Sequence, residues 1–308
     1  MPGSKTSYLE FCADHSVPLH FQPWWLDALS GPDHWDAAIA TGRSGRPEAV
    51  LPWYATRRWG IRVLQQPPFS AYAGPWLAPP LPGLPAHERL GREHRLLRAL
   101  IDQLPRRTFF HQNFRPEIQN GLPFFWAGFR QTLRYTYVLP APIRLPEVYA
   151  RLKGSIRTDL RRASETVQIV AAPDAADLYR LHQLSLQHKG RRPNAKAETF
   201  QRLFLALRLR AQGQGWLAFS AGEGQPCAGL FLAFDTRQAA IVLAGRTNQP
   251  QHTGALNALY WNAIEFCAAR QLSLDFEGSM DPGIERVFRG FGGEMHPYFR
   301  IRGFLVSG

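Results

Sequence analysis

The sequence predicts an α+β protein with two domains in tandem. The chain has 308 residues, which is long for one hydrophobic core and enough for two domains of about 150 residues each. Both halves carry the same order of predicted strands and helices, with short turns between neighbouring strands. The chain lacks both a GxGxxG motif after a first strand and a P-loop, which argues against dinucleotide-binding and NTPase folds. We therefore expect two mixed, mainly antiparallel sheets, each flanked by helices.

The first half contains three predicted strands followed by a long helix. The strands lie in WDAAIATGRSGRPEAVLPWYATRRWGIRVLQQ, which starts at Trp35, and glycine-containing turns separate them. The helix covers residues 87–103, and the strand RTFFHQNF follows it. The expected order in this half is therefore three strands, one long helix and one further strand.

The same pattern returns in the second half. WLAFSAGEGQPCAGLFLAFDTRQAAIVLAG starts at Trp216, a helix covers residues 253–270, and the strand LSLDFEG follows. The identity between the halves is weak, so the repeat lies in the pattern. We predict a structural duplication, with one domain at residues 1–145 and the other at 146–308, joined at the Pro-rich LPAPIRLPEV. The last strand, Tyr298 to Leu305, can pair within its own half or with the first domain.

The second half carries further helices before its sheet. DAADLYRLHQLSLQHKG and AETFQRLFLALRLRAQG are amphipathic, with an acid early and a glycine at the end. PEVYARLKGSIRTDLRRASE has an apolar stripe with residues four apart, which predicts one helix. The stripe consists of Val148, Leu152, Ile156 and Leu160.

The net charge of +12 comes almost entirely from arginine, since only four of the 36 basic residues are lysines. A positive balance favours anionic partners such as nucleic acid, nucleotide phosphates or a membrane surface. A basic but inert surface is the alternative. Charge alone does not decide between them.

Cysteine usage and hydropathy predict a cytoplasmic protein. Cys12, Cys227 and Cys267 are far apart and lack metal-site spacing, so we expect neither a disulfide framework nor a metal site. The N-terminal segment has no uninterrupted apolar core of the kind a secretory signal requires. No apolar run reaches about 18 residues, so we expect no membrane span.

Three cations share one predicted helix face and form the first candidate binding site. Lys153, Arg157 and Arg161 are spaced by four. Like charges on one face repel each other, and a phosphate-bearing ligand would offset that repulsion. A solvated basic face is the alternative.

The segment RTNQPQHTGALNALYW forms a second candidate site. It leaves a predicted strand and opens a helix, whose N-terminal N–H groups can bind a phosphate or a carbonyl. Arg246, His252 and Gly254 are its candidate ligand-binding residues. An ordinary loop with a glycine near the helix cap is the alternative.

Two carboxylates at the end of a predicted strand form the third candidate site. In LSLDFEG, Leu274 and Phe276 face the core, which places Asp275 and Glu277 together on the other face. Their mutual repulsion would raise the pKa of one carboxyl and make it a general base. The alternative is pairing with arginine, either Asp275 with Arg300 or Glu277 with Arg289.

Arg289 lies between Phe288 and Phe291, just before the Gly292–Gly293 turn. An arginine in such a position can stabilise a developing oxyanion or bind a phosphate. The alternative is a helix with Val287 and Phe291 in the core and Arg289 outside.

Three segments together resemble the FemAB-type and CelD/BcsL-like acetyltransferase branch of the GNAT superfamily. They are SIRTDLRRASE, GALNALYWNAIEFCAARQLSLDFEGS and RVFRGFGGE; AYAGPWL, with Gly74 and Pro75, is a weaker match. The matching positions are Arg157, Leu160, Arg162, Ala163, Asp275, Phe276, Gly278, Arg286, Phe288, Arg289, Phe291 and Gly292. The resemblance covers most of residues 146–304 and only the outline of the first half.

The resemblance implies two tandem GNAT-like domains, of which the first is degenerate, and acyl transfer to an amine without a covalent enzyme intermediate. In FemAB proteins the donor is an aminoacyl-tRNA and the acceptor a peptidoglycan precursor; in the acetyltransferase relatives the donor is an acyl-CoA. This chain departs from the family at Arg289, where the pattern has Lys, and at Ala73, where it has Arg. In the CoA-binding loop pattern, Gln251 and Gly254 fit and Leu256 does not.

We therefore predict an N-acyltransferase that moves an acyl group from acetyl-CoA or another acyl-CoA to an amine, on a small molecule, a polysaccharide or a cell-wall precursor. The predicted catalytic residues are Asp275 or Glu277 for the amine proton and Arg289 for the oxyanion, with no metal. The predicted substrate- or phosphate-binding residues are Lys153, Arg157, Arg161, Arg246, His252, Gly254, Phe288 and Tyr298. Two alternatives remain, a transferase that uses aminoacyl-tRNA and a binding protein without activity.

Overall fold

The computed structural model describes residues 4–42, 44–222, 224–249, 253–278 and 280–305. Contacts divide the chain into two units. Unit 1 consists of Met1–Arg134 and Pro297–Gly308, and unit 2 is Tyr135–His296. The boundary predicted at 145/146 lies inside unit 2, because the strand that begins near residue 130 continues from one unit into the other.

The first part of the chain contains four helices and six strands among the described residues, with a 3₁₀ turn at Leu19–Phe21. They are α1 (Ser4–Asp14), α2 (Pro23–Ser30), β1 (Trp35–Thr41), β2 (Pro47–Arg58), β3 (Ile61–Gln65), β4 (Trp76–Leu77), α3 (Ala86–Asp102), β5 (Thr108–Asn113), α4 (Leu122–Trp126) and β6 (Arg130–Leu139).

The second part opens with two helices and ends with a long strand. Its elements are α5 (Leu145–Arg151), α6 (Gly154–Thr166), β7 (Val167–Ala171), α7 (Ala176–His188), α8 (Ala197–Leu209), β8 (Gly213–Ser220), β9 (Pro226–Phe234), β10 (Gln238–Arg246), α9 (Thr253–Ala269), β11 (Ser273–Asp275), α10 (Pro282–Gly290) and β12 (Glu294–Leu305).

The two units repeat one topology. In unit 1, β1, β2 and β3 are antiparallel neighbours, and β3 pairs in parallel with β5 after the α3 crossover. In unit 2, β8, β9 and β10 are antiparallel neighbours, and β10 pairs in parallel with β11 after the α9 crossover. The predicted duplication and the mixed, mainly antiparallel sheets are therefore confirmed. The predicted strands and long helices lie within a few residues of their observed bounds.

The last strand of each sheet comes from another part of the sequence. In unit 1, β5 pairs antiparallel with β12, whose residues from Pro297 onward belong to that unit. In unit 2, β11 pairs antiparallel with the end of β6. The C-terminal strand thus pairs with the first domain, which was one of the two expectations for it.

The sheet of unit 2 is covered by helices on both faces, and this explains its apolar sequence. β9 is buried from Pro226 to Ala233, as expected for a strand with no solvent-facing side. α7 lies so close to β10 that a Cβ on Gly245 would be 2.4 Å from the backbone of His182. On α8, apolar residues three and four positions apart form one buried face, which consists of Phe200, Leu203, Phe204 and Leu207.

One helix prediction was wrong. The segment predicted as a single helix is divided into α5 and α6, because Leu152 and Lys153 adopt extended conformations. The Lys153 N–H donates to the Gly290 carbonyl oxygen at 2.9 Å, so a tertiary hydrogen bond replaces a helical one. The apolar stripe still faces the core, since Val148, Leu152 and Ile156 are buried.

Candidate active site

The pairing of β10 with β11 ends at the candidate site. Their parallel pairing covers only Gln238–Ala240 and Ser273–Asp275, whereas β10 continues to Arg246. Between Ile241 and Leu243 the register of β10 against β9 shifts, which marks a β-bulge just beyond the last pair with β11. A bulge bends and twists its strand. Beyond the last pair, β10 continues to Arg246 without a described strand on its β11 side.

Asp275 ends β11, and its carboxylate organises the turn that follows. Its Oδ1 accepts a hydrogen bond from the Thr136 hydroxyl at 2.5 Å and one from the Glu277 N–H at 2.7 Å. The Thr136 Oγ1 in turn accepts the Gly278 N–H at 2.9 Å. Asp275 and Thr136 thus hold the backbone of residues 277 and 278 against β6. Of the two predicted acids, Asp275 is the one engaged in fixing the backbone.

Glu277 occupies a strained and enclosed position in this turn. Its φ is +53°, in the left-handed region that residues other than glycine rarely adopt. Its Oε1 is inaccessible to solvent although the residue as a whole is half-buried. Burial, and secondarily the charge of Asp275, raise the pKa of the Glu277 carboxyl well above its ordinary value. A carboxyl with a raised pKa is a stronger base than an ordinary glutamate.

Gly278 lets this turn approach β6. A Cβ at this position would be 2.1 Å from the Tyr135 carbonyl oxygen and 2.4 Å from the Thr136 Cα. Only glycine avoids these contacts with backbone atoms, which cannot move aside as a side chain can. Gly278 therefore fixes how closely the Glu277 turn lies against the strand.

Arg289 belongs to a second network, on α10. Its Nε donates to Glu285 Oε1 at 2.7 Å, and the Tyr137 hydroxyl donates to the same oxygen, also at 2.7 Å. The Arg289 hydrogen bond, followed by that from Tyr137, lowers the pKa of Glu285. The Arg289 side chain is 65% exposed. Its ionic partner is therefore Glu285, and its guanidinium remains open to solvent and ligand.

The helix α10 is anchored by its cap and its aromatic residues. Asp281 accepts hydrogen bonds from the Gly283 and Ile284 N–H groups, and it forms ion pairs with Lys189 and Arg191 of the loop after α7, both at 3.4 Å. These N–H bonds and Lys189 act against partial burial to lower the pKa of Asp281.

Phe288, predicted to contact substrate, is buried and stacks on Phe276 with ring centroids 5.0 Å apart. Both rings also approach Tyr260, at 5.8 and 6.2 Å respectively. The contacts that the structure gives Phe288 are thus packing contacts, which hold α10 against β11.

The three predicted cations of α6 differ in their surroundings. Lys153 is exposed at the N-cap and not within a longer helix, which corrects its predicted setting. Arg157 is half-buried, and its Nη1 donates to the Ala150 carbonyl oxygen at 3.2 Å. Arg161 is exposed one turn further along the helix.

The segment after β10 is only partly described. Arg246 ends the strand, and its Nη1 donates to the carbonyl oxygens of Thr247 and Gln249. A Cβ on Gly254 would be 3.3 Å from the Asp159 carbonyl oxygen, so this glycine also permits close packing of α9 on α6. The predicted binding residue His252 lies outside the described residues.

Tyr298 belongs to unit 1, not to the domain that carries Glu277. It is buried, and its hydroxyl accepts a hydrogen bond from Arg134 Nε at 3.2 Å. Sequence reasoning had placed it with the acyl-transfer residues.

Sequence reasoning missed four side chains of the site, Thr136, Tyr137, Asp281 and Glu285. A signal existed for Glu285, which stands four residues before Arg289 and can pair with it along a helix. Asp281 stands before a proline at the start of α10, as helix caps often do. No local signal distinguishes Thr136 or Tyr137, because their partners are remote in sequence.

Residues 150–283 match the family model of the acetyltransferase (GNAT) domain. This part of the chain is a GNAT acetyltransferase domain. The protein is accordingly an acyltransferase, and in general terms an N-acyltransferase. No curated protein sequence matches the chain significantly.

Solved structures place both units of this GNAT protein in a known fold. The crystal structure of FemX is similar over 97% of this chain and 96% of that one, with a TM-score of 0.65 and 11% identity. A tandem GNAT protein from the clavulanic acid biosynthesis pathway is similar over 97% and 94%, with a TM-score of 0.53 and 12% identity. The fold is that of FemAB-like tandem GNAT proteins.

Two kinds of feature are absent from the part of the chain that the structure describes. None of the helices in that part of the GNAT protein is long and apolar enough to cross a membrane. Over the same residues, no group of three or more His, Cys, Asp or Glu side chains is arranged to hold a metal ion.

Proposed function

We propose that unit 2 transfers an acyl group from an acyl-CoA to a primary amine, with Glu277 as the general base. The observation that carries this proposal is the Glu277 carboxyl, which is enclosed, raised in pKa and held in a strained turn at the end of β11. Strain of this kind collects at functional sites. The carboxyl also lies in a domain of acetyltransferase type.

The edge of β10 beyond its pairing with β11 supports an acyl-CoA donor. Beyond Ala240, no described strand pairs with β10 on its β11 side. An extended ligand could add to the part of that edge that His182 and Ser185 do not occupy at Ala244 and Arg246. The amide-containing arm of CoA is a ligand of that kind. Arg246, at the far end of β10, and the start of α9 would lie near its phosphates.

The proposed reaction is a direct attack of the amine on the thioester carbonyl. The C–N bond forms as the C–S bond breaks, and the CoA thiolate leaves and takes up a proton. Glu277 accepts the proton that the amine nitrogen loses. Arg289 offers its guanidinium to the carbonyl oxygen while negative charge develops there. Asp275 acts by holding the turn and does not itself exchange protons.

The experiment is a thiol-release assay with acetyl-CoA and a panel of primary amines, including amino sugars and cell-wall peptides. We expect the wild type to release thiol and Glu277→Gln to reduce that activity at least a hundredfold. Glu294→Gln, which changes an exposed carboxyl, is the control and should keep the activity. Full activity of the Glu277→Gln protein would exclude Glu277 as the base. Turnover only with charged tRNA would exclude the proposed donor.

An aminoacyl-tRNA donor is the second candidate. The exposed Lys153 and Arg161, with Arg157 between them on α6, and the net charge of +12 favour it. The acceptor would then be a cell-wall precursor or a peptide. Stronger binding of charged than of uncharged tRNA, without acetyl-CoA binding, would support this donor. Competition at two salt concentrations on nucleic-acid-free protein distinguishes it from non-specific binding.

A further inference from the structure

The face of the unit 1 sheet opposite its core carries a cluster of arginines. Along β12, Ile301 and Leu305 lie in the core of unit 1. Because side chains alternate along a strand, Arg300 and Arg302 lie on the other face. Arg134 joins them there, since its Nε donates to the hydroxyl of Tyr298, which shares the face of Arg300. We call Arg134, Arg300 and Arg302 the arginine cluster.

The neighbours on β5 are polar and uncharged. Arg300 lies opposite Asn113, and Arg302 lies opposite His111. The Arg300 Nε donates to Asn113 Oδ1 at 3.0 Å. Side chains directly opposite each other on one face of a sheet are in contact range. Arg134 and Arg300 are thus oriented by neutral oxygens, which leave their positive charge uncompensated.

The charges of the arginine cluster act on one another. Partial burial, followed by the charges of Arg134 and Arg302, lowers the pKa of Arg300. Burial and all three arginines likewise lower the pKa of His111. Throughout the described residues, no carboxylate forms an ion pair with a member of the cluster. The three guanidinium groups therefore repel one another, with Arg134 and Arg300 half-buried and Arg302 exposed beside them. An anion bound there would relieve that repulsion.

We propose that the arginine cluster binds the phosphoryl group of a ligand. A guanidinium group offers paired N–H donors that match two phosphate oxygens, and three such groups match the multiple charges of a phosphate or pyrophosphate better than the single charge of a carboxylate. The Nε groups of Arg134 and Arg300 already donate to Tyr298 and Asn113, so the terminal nitrogens of these arginines would bind the ligand. This site belongs to unit 1 and does not depend on acyl transfer by unit 2.

An aromatic surface continues from the cluster along the same face. Phe304 follows Arg302 by two residues on β12, is 52% exposed, and lies with its ring centroid 5.9 Å from that of Phe109. Phe109 in turn lies near His111, with ring centroids 6.5 Å apart. A flat ring attached to the phosphoryl group could stack on this surface. A simple phosphate ester would use the arginine cluster alone.

The test is calorimetric titration of the full chain with inorganic pyrophosphate at low salt. We expect binding that weakens as KCl is added, and a loss of about tenfold in affinity for either Arg300→Gln or Arg302→Gln. Arg62→Gln is the matched control, since Arg62 lies on β3 on the same face as the core residue Leu64 and should bind like the wild type. Arg302 is exposed, so its variant should fold even if Arg300→Gln does not.

Two outcomes would overturn the proposal. One is the absence of pyrophosphate binding by the wild type, and the other is an equal loss in the Arg62→Gln control. Titration with ADP identifies the source of the phosphoryl group. Tighter binding of ADP than of pyrophosphate, lost in Phe304→Ala, indicates a nucleotide, and equal binding indicates a simple phosphate ester.

Discussion

Thr136 donates its hydroxyl hydrogen to the carboxylate of Asp275 across 2.5 Å, although the two residues are 139 positions apart in the sequence. The same hydroxyl oxygen accepts the Gly278 N–H. One side chain of β6 thus connects the end of β11 to the backbone on the far side of Glu277. The conformation of the proposed base is therefore set by a residue that would not touch the substrate.

Replacing Thr136 by valine should destabilise the protein and reduce its activity. The hydroxyl is buried, and its loss leaves the Gly278 N–H and one bond of Asp275 unmatched, at a cost of about 1–3 kcal/mol in free energy of unfolding. Urea unfolding measures this cost, and the thiol-release assay measures activity. Thr136→Ser keeps the hydroxyl and should retain most of both. Equal stability of the valine variant and the wild type would show that the hydrogen bonds contribute little.

Replacing Gly278 by alanine should also be destabilising, for a steric reason. The new Cβ would lie 2.1 Å from the Tyr135 carbonyl oxygen, so the turn must move away from β6. Overpacking of this kind costs about 1–3 kcal/mol. Gly154→Ala is the control in the same unit, since a Cβ there meets no atom within 4 Å. Thermal unfolding compares the two variants, and an equal loss in both would contradict the steric explanation.

The sequence was sufficient to predict the repeated topology because its signals are local. Alternation and turn residues located β1 to β3 and β8 to β10, and helical periodicity located α3 and α9. The division of α5 from α6 could not be predicted in this way. It depends on the hydrogen bond from the Lys153 N–H to the Gly290 carbonyl oxygen, between segments that only the folded chain brings together.

The candidate site was predictable in its residues but not in their roles. Alternation identified Asp275 and Glu277 as a pair on one face, and the FemAB-like pattern added Arg289. Their environments separate them, because Thr136 engages Asp275 whereas burial raises the pKa of Glu277. Glu285 accepts the ion pair of Arg289, so neither predicted pairing, Glu277 with Arg289 or Asp275 with Arg300, describes these arginines.

The raised pKa of Glu277 predicts a particular dependence of stability on pH. The folded state binds the Glu277 proton more tightly than the unfolded state, where the pKa is about 4.3. The stability that this provides is present below that value and is lost as the pH rises through the raised pKa. Glu277→Gln stays neutral at every pH, so it should be more stable than the wild type at pH 8 and similar to it at pH 4. Thermal unfolding at the two pH values checks this.

The Glu277 carboxyl should also determine how kcat/KM falls on the acid side of its pH profile. As a base, Glu277 must be ionised, so kcat/KM should rise with pH through a pKa above the usual range of glutamate. Glu277→Gln should lose this acid limb together with most of the activity. A wild-type profile that is already flat at pH 5 would contradict the assignment. If the acid limb persists in Glu277→Gln, then a group other than Glu277 is the base.

Arg289→Ala should reduce turnover about a hundredfold or more and leave stability almost unchanged. Removing a single oxyanion donor typically lowers turnover about a hundredfold or more, whereas the solvent-exposed ion pair with Glu285 adds little to folding. Arg289→Lys keeps the charge and should retain more activity than the alanine variant. The control is Arg270→Ala, which removes an exposed arginine just after α9. If the Arg289→Ala protein is fully active, then Arg289 has no part in the reaction, and the Tyr137–Glu285–Arg289 network only fixes α10 to β6.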